Sequence, residues 1–307
     1  MPTIHGNKNL ILTVVQGADF DYVASFLRSL EQTGCTAQRV IFAAAMKGDA
    51  VDRMREYGAT VVPYRHHSKR LRELAVWPLW PVWRRYFNTA RLSAFQESLA
   101  QIALPLFYRR HLLYLQYLRD RQREFDRVFI TDIRDVFFQA DPFAWRQPEG
   151  LHVFLLDGVH TVKSSQLCRN WTENQFGRTD ATPHLDKAVS CAGTTFGDAG
   201  AMVNYLSQMV ETSLRARKLR KMVAGDDQAV HNYLIYEKLL PSATLYTNGS
   251  GPVMTTTVPM TMADLRFDRE GRVLDDAGAV VPVLHQYDRV PGLKEHLIGR
   301  LPKQGHP

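Results

Sequence analysis

The sequence predicts an α/β protein with an open, mainly parallel, Rossmann-like central sheet flanked by helices. Within the first sixty-odd residues, short apolar runs alternate three times with amphipathic ones, the rhythm of strand and helix units whose strands run parallel. The stretch Val128 to Phe138, VFITDIRDVFF, sets acids between two apolar runs, and a short apolar run bounded by turn residues reads as a buried strand. The chain has 307 residues, 45% hydrophobic and 22% charged, which is ordinary globular composition with enough length for a large core.

Taken in order, Asn9 to Val15 reads as the first strand and Gln16-Gly17-Ala18-Asp19 as the loop after it. Val23, Phe26, Leu27 and Leu30 fall at i, i+3, i+4 and i+7, so a helix with one buried face follows, and Gly34 ends it. Arg39 to Ala43 is a second strand, Asp49 an expected N-cap for a helix through Tyr57, and Thr60 to Val62 a third strand. Leu92, Phe95, Leu99, Ile102 and Leu106 recur at spacings of three and four. They predict a long helix that Pro105 kinks or divides. Its later part carries Arg109 and Arg110, and an arginine pointing at the strand ends could reach a phosphate with its planar fork; Arg110 is the choice.

Beyond Val128 to Phe138, Val153 to Leu156 is another strand, while residues 158 to 188 show no usable pattern. Val189 to Phe196 mixes small residues and a glycine with strand formers, which lets a ligand or another backbone approach closely. Asp198 should cap a helix to about Arg217, and Gly225-Asp226-Asp227-Gln228 should open another that buries Val230, Tyr233 and Leu234. Val280 to Leu284 is a last strand, running into His285. No repeat or linker divides the chain, so residues 1–307 are expected to form one domain, with 64–90 as a basic, aromatic surface insertion.

A net charge of +7 suits an anionic ligand, a phospholipid surface or nucleic acid. No nucleic-acid motif supports the last, and none is expected as a partner. Basic residues beside indoles over 76–87 suit peripheral membrane contact; tryptophans packed back onto the domain are the alternative. Three distant cysteines without a CxxC pair, no apolar signal-peptide core and no run long enough to span a bilayer lead to an expected cytoplasmic location.

Ligands of open α/β sheets gather outside the carboxyl ends of the strands. Gln16, Asp132, Asp135, Gly193 and His285 follow or end predicted strands and could converge there. Carboxylates with an imidazole suit a divalent cation, and mixed oxygen and nitrogen donors suit manganese better than magnesium.

The run Thr131 to Gln139 with Asp141-Pro142-Phe143 resembles the DxD region of GT-A-fold glycosyltransferases. Further similarity lies in Val15-Gln16 after the first strand, in Cys191-Ala192-Gly193, in Asp227-Gln228 at a helix start, and in His285 with Lys294 nine residues on. The last pair is similar to the retaining, glycogenin-like branch. The resemblance implies a GT-A-like fold and a metal-dependent transfer of a sugar, with retention, from a nucleoside diphosphate-sugar donor. A UDP-sugar is the expected donor, and the acceptor would be a hydroxyl on a glycan, a lipid-linked molecule or another compound. It implies Mn²⁺ (or Mg²⁺) held by Asp132, Asp135 and His285, with Asp135 as a direct ligand and Asp132 as a ligand or ribose contact. Arg110 and Lys294 would meet the diphosphate, Val15 and Gln16 the base, Gly193 the donor, and Asp227 and Gln228 the sugar near the reacting carbon. Asp132 and Asp135 stand one residue farther apart than in the usual motif. Two other readings remain: a metal-dependent nucleotidyltransferase or phosphohydrolase, and a non-catalytic module binding membranes or polyanions.

Overall fold

Alternate residues of the N-terminal strands feed two different cores, and that alternation sets the architecture. The computed structural model describes residues 8–67, 69–86, 93–145, 148–177, 184–215, 225–257 and 259–302. In its first part, β1 (Asn9–Gln16), α1 (Asp21–Gln32), β2 (Gln38–Ala44), α2 (Ala50–Glu56) and β3 (Ala59–Pro63) follow one another. Leu10 and Leu12 of β1 join one apolar cluster, and Ile11 and Val15 join the other. A strand with both faces buried is what a parallel sheet covered by helices requires. Val23, Phe26, Leu27 and Leu30 of α1 are buried in the second cluster, and Gly34 takes the left-handed conformation, φ 66°, after the helix. Asp49 makes no side-chain cap bond at α2, contrary to expectation.

The insertion is helical. α3 (Lys69–Leu71) continues through a π turn over Arg72–Val76 and a 3-10 turn over Trp77–Leu79 into α4 (Trp80–Tyr86). Trp77 and Trp80 are buried against the first core, so these two indoles pack back onto the domain; Trp83's side chain and residues 87–92 lie outside the described part. The long helix of the sequence reading divides before Pro105 into α5 (Ala94–Ala103) and α6 (Leu106–Arg119). Phe95 is solvent-exposed rather than on the buried face, because Ser93 and Gln96 form a capping box that starts α5 immediately before it.

β4 (Arg127–Thr131) pairs in parallel with β1. After the Asp132–Asp135 turn, β5 (Val136–Phe138) joins a different sheet. β6 (Leu151–Leu155), α7 (Gln166–Phe176), β7 (Ser190–Asp198) and α8 (Ala199–Leu214) follow. Asp198 caps α8 as expected, its Oδ1 accepting from the Ala201 N–H at 2.8 Å. Helix α9 (Asp227–Tyr236) buries Val230 and Leu234, whereas Tyr233 is only half-buried. The rest is β8 (Ala243–Tyr246), β9 (Val253–Thr255), the hairpin of β10 (Arg266–Phe267) and β11 (Val273–Leu274), β12 (Val283–His285) and α10 (Leu293–Gly299). The last strand starts three residues later than expected and contains His285.

The result is an α/β protein whose seven-stranded central sheet has the order β3-β2-β1-β4-β7-β6-β8. It is mostly parallel; β7 runs antiparallel to β4 and β6. Chain order moves from β1 outward to β2 and β3, then returns to place β4 on β1's other side. The gap between the carboxyl ends of β1 and β4 is therefore a topological switch point, where open α/β sheets leave a crevice. Beside it, β5, β12 and β9 form a three-stranded sheet, backed by Leu284, Tyr287, Leu293 and Leu297.

Candidate metal and donor site

The switch from one sheet to the other takes four residues, Asp132 to Asp135. Asp132 closes β4, its N–H donating to the Gly193 carbonyl at 2.8 Å, and Asp135 opens β5, its carbonyl accepting from the Gln286 N–H at 2.6 Å. Two backbone bonds to different strands thus fix both acids at the seam. The extra residue that separates them, relative to a tighter motif, lets Ile133 enter the second core while Arg134 faces out. Arg134 pairs with Asp135 at 2.9 Å and Asp288 at 2.7 Å.

β12 brings His285 to the same point, opposite Val136 in β5 and Thr255 in β9. One ligand atom each from Asp132, Asp135 and His285 lies within 4.8 Å of the others. His285 is fully buried, and Asp135 is buried, while Asp132 keeps 32% of its side chain open. The His285 Nδ1 faces Thr255 Oγ1 at 3.4 Å and Cys191 Sγ at 3.6 Å. Once the ring is neutral, a proton on Nδ1 leaves the Nε2 lone pair for a cation. Nε2 has no hydrogen-bond partner and stands 3.5 Å from Asp132 Oδ2, too long for a good hydrogen bond. An orphaned buried nitrogen facing two carboxylates can serve as the donor set of a divalent cation, and these residue types fit Mn²⁺ or Mg²⁺.

Gly193 is required by space. A Cβ there would lie 2.5 Å from His285 Cε1, 2.6 Å from Nε2 and 2.7 Å from Asp132 Oδ2. Cys191, two residues back, shares its strand face and touches the imidazole from behind.

A second group adjoins the first through the other oxygen of Asp132. The Arg110 guanidinium on α6 donates to Asp132 Oδ1 and, at 2.6 Å, to Asp227 Oδ2 at the start of α9. Arg110 and Asp227 are almost wholly buried. Burial opposes charge on Arg110, but Asp227 and Asp132 outweigh it and raise its pKa well above the ordinary value. Burial likewise pushes Asp132 up, yet Arg110 and His285 hold its carboxyl well below the usual range. Asp135 goes the other way, raised chiefly by burial, and burial also raises Asp227. For His285, burial lowers the pKa, but the Cys191 sulfur and the two carboxylates raise it well above that of a free imidazole.

The other expected site residues are less closely joined. Gln16 ends β1 and accepts from the Tyr64 hydroxyl at 3.1 Å, and Val15 before it is buried in the core, so only Gln16 presents a polar side chain at the crevice. Gln228 points its amide at Cys168 Sγ, 3.9 Å away, rather than along Asp227. Lys294 is exposed on the first turn of α10, and among the described residues no hydrogen bond or ion pair links it to the cluster. Asp226 makes no side-chain cap bond; Asp141 makes a tight turn, accepting from the Phe143 N–H at 3.0 Å. Thr255 and Cys191 as partners of His285, and the Arg134–Asp288 pair, were not singled out from sequence. The i, i+2 relation of Cys191 to Gly193 was the one available signal.

A scan of the chain against protein-family models found no match, and a search of curated proteins found none either.

Proposed function

We propose that the chain is a metal-dependent glycosyltransferase of the GT-A-like kind, transferring a sugar with retention from a nucleoside diphosphate-sugar, a UDP-sugar by preference, to a hydroxyl acceptor. The observation that carries this is the double use of Asp132, which faces the His285 and Asp135 ligand atoms with one oxygen and a buried arginine–carboxylate network with the other. A cation bound by Asp132, Asp135 and His285 would offset the negative charge growing on the diphosphate leaving group. Asp132, locked by Arg110 and partly open, can accept from a hydroxyl of the donor and fix its orientation, while the buried Asp227 holds the guanidinium in place. Arg110 holds the Asp132 carboxyl in its ionised form and would supply positive charge near the departing phosphate. Gly193 leaves room for the His285 ring and the Asp132 carboxylate to close on each other beside β7, and Gln16, held by Tyr64 at the end of β1, would meet the base of the donor.

The test is incubation with nucleotide sugars and Mn²⁺, with nucleotide products separated by chromatography. Release of nucleoside diphosphate that requires manganese and stops in Asp135→Ala supports the proposal. Nucleoside monophosphate or pyrophosphate as the product would instead make the protein a nucleotidyltransferase or phosphohydrolase.

A further inference from the structure

Six of the eleven large apolar side chains exposed among the described residues fall between 71 and 107. Single exposed apolar residues are normal; a cluster is not. Leu74, Leu79 and Val82 are 70%, 51% and 56% exposed, on the same helical segment whose Trp77 and Trp80 are sunk into the core. The segment is thus fastened by its indoles and turns its aliphatic side chains outward. Residues 65–86 contain six arginines and lysines against one acid, and Arg65, Arg70 and Arg85 are exposed beside the aliphatic row. Apolar side chains flanked by cations match a surface that is oily beneath and anionic above. No described helix is long and apolar enough to cross a membrane, so such contact would be peripheral. Phe107 on α6 is also partly exposed, and its ring centre lies 6.0 Å from the Arg110 guanidinium.

We propose that residues 69–86 seat this protein on an anionic phospholipid surface, with Leu74, Leu79 and Val82 entering the headgroup layer and Arg70 and Arg85 against the phosphates. Seating requires neither donor nor metal, so it stands or falls separately from the catalytic reading.

The test is co-sedimentation of the full chain with vesicles of phosphatidylcholine alone and of phosphatidylcholine mixed with phosphatidylglycerol. Binding is expected only to the anionic vesicles and should weaken with added salt. Leu79→Asp/Val82→Asp should abolish it, and Arg70→Gln or Arg85→Gln should each weaken it roughly fivefold. Because these side chains are exposed, the circular dichroism spectrum and thermal midpoint should stay as in the parent protein. Equal binding to neutral vesicles, or binding that survives both kinds of variant, overturns the proposal. So does a protein that ignores vesicles but self-associates in light scattering until Leu79→Asp/Val82→Asp makes it a monomer, because the patch would then receive a second copy of the chain.

Discussion

Two histidines, His231 and His285, are each fully buried behind the same strand, β7, yet they solve the problem of a buried imidazole in opposite ways. His231 has both ring nitrogens satisfied by neutral hydroxyls, Tyr205 on Nδ1 and Ser190 on Nε2, each at 2.9 Å. Ser190 donates onward to the Phe154 carbonyl, so Nε2 carries the proton and the ring is neutral. Burial, with Arg110 nearby, lowers its pKa to about 3. His285 has one nitrogen held by Thr255 and Cys191 and the other orphaned before two acids. A satisfied network rigidifies a core, whereas an unsatisfied one costs stability unless a ligand completes it. The difference separates a histidine whose hydrogen bonds are complete from one left open toward two acids.

Removing each ring should therefore damage different properties. His231→Ala leaves two hydroxyls and a cavity in the core and is expected to cost about 3 kcal/mol or more in urea unfolding, with Mn²⁺ affinity of the folded protein unchanged. His285→Ala should do the reverse. It should weaken Mn²⁺ binding by more than the roughly 10–100-fold attributed to outer partners, while metal-free stability changes far less. Equal loss of stability in both variants would erase the distinction.

The next effect is on acid stability, and the signs differ. His231 has a folded pKa below its unfolded value, so its contribution is intact above about 6.5 and is lost as pH falls toward about 3, with a slope of about 1.4 kcal/mol per pH unit. For His285 the folded pKa is raised, so its contribution is present below the unfolded value and is lost as pH rises through the folded one. Urea titrations of metal-free His231→Asn and His285→Asn across pH 4 to 8 should tilt in opposite senses from the parent protein. Manganese must displace the proton on His285 and on the raised Asp135 carboxyl, so its affinity should climb with pH over the same range.

The smallest expected effect falls on the partner that aims the ligand. Thr255→Val keeps the shape of β9 but removes the hydroxyl facing His285 Nδ1. Manganese affinity should drop roughly tenfold by calorimetry, with the thermal midpoint little changed.

How much of this was legible in the sequence follows from what each segment buries. β1 to β4 could be read because both faces are apolar and their runs are long enough to stand out. Helix α7 was missed because its buried positions include Cys168, Thr172 and Gln175, which give no apolar period. Ser165, whose Oγ accepts from the Cys168 N–H, was the cap that marked its start. β8 has two exposed and two half-buried residues, and β9 is three residues long; neither length nor alternation could reveal them. The acids and His285 were found because charges beside apolar runs need a reason. The resemblance joins Gln228 to Asp227, but a helix turns adjacent side chains about 100° apart, so Gln228 faces Cys168 instead. Lys294 was assigned by spacing from His285, but α10 packs through Leu293 and Leu297 onto the second sheet and turns Lys294 to solvent.

The central claim is that Asp132, Asp135 and His285 hold a cation that in turn holds a nucleoside diphosphate. Calorimetric titration of UDP into the full chain, with Mn²⁺ and then with chelator, tests it most directly. The expected result is UDP binding that requires manganese and disappears in Asp135→Ala while the variant remains folded. UDP binding of equal strength with chelator present, or undiminished in Asp135→Ala, would contradict it.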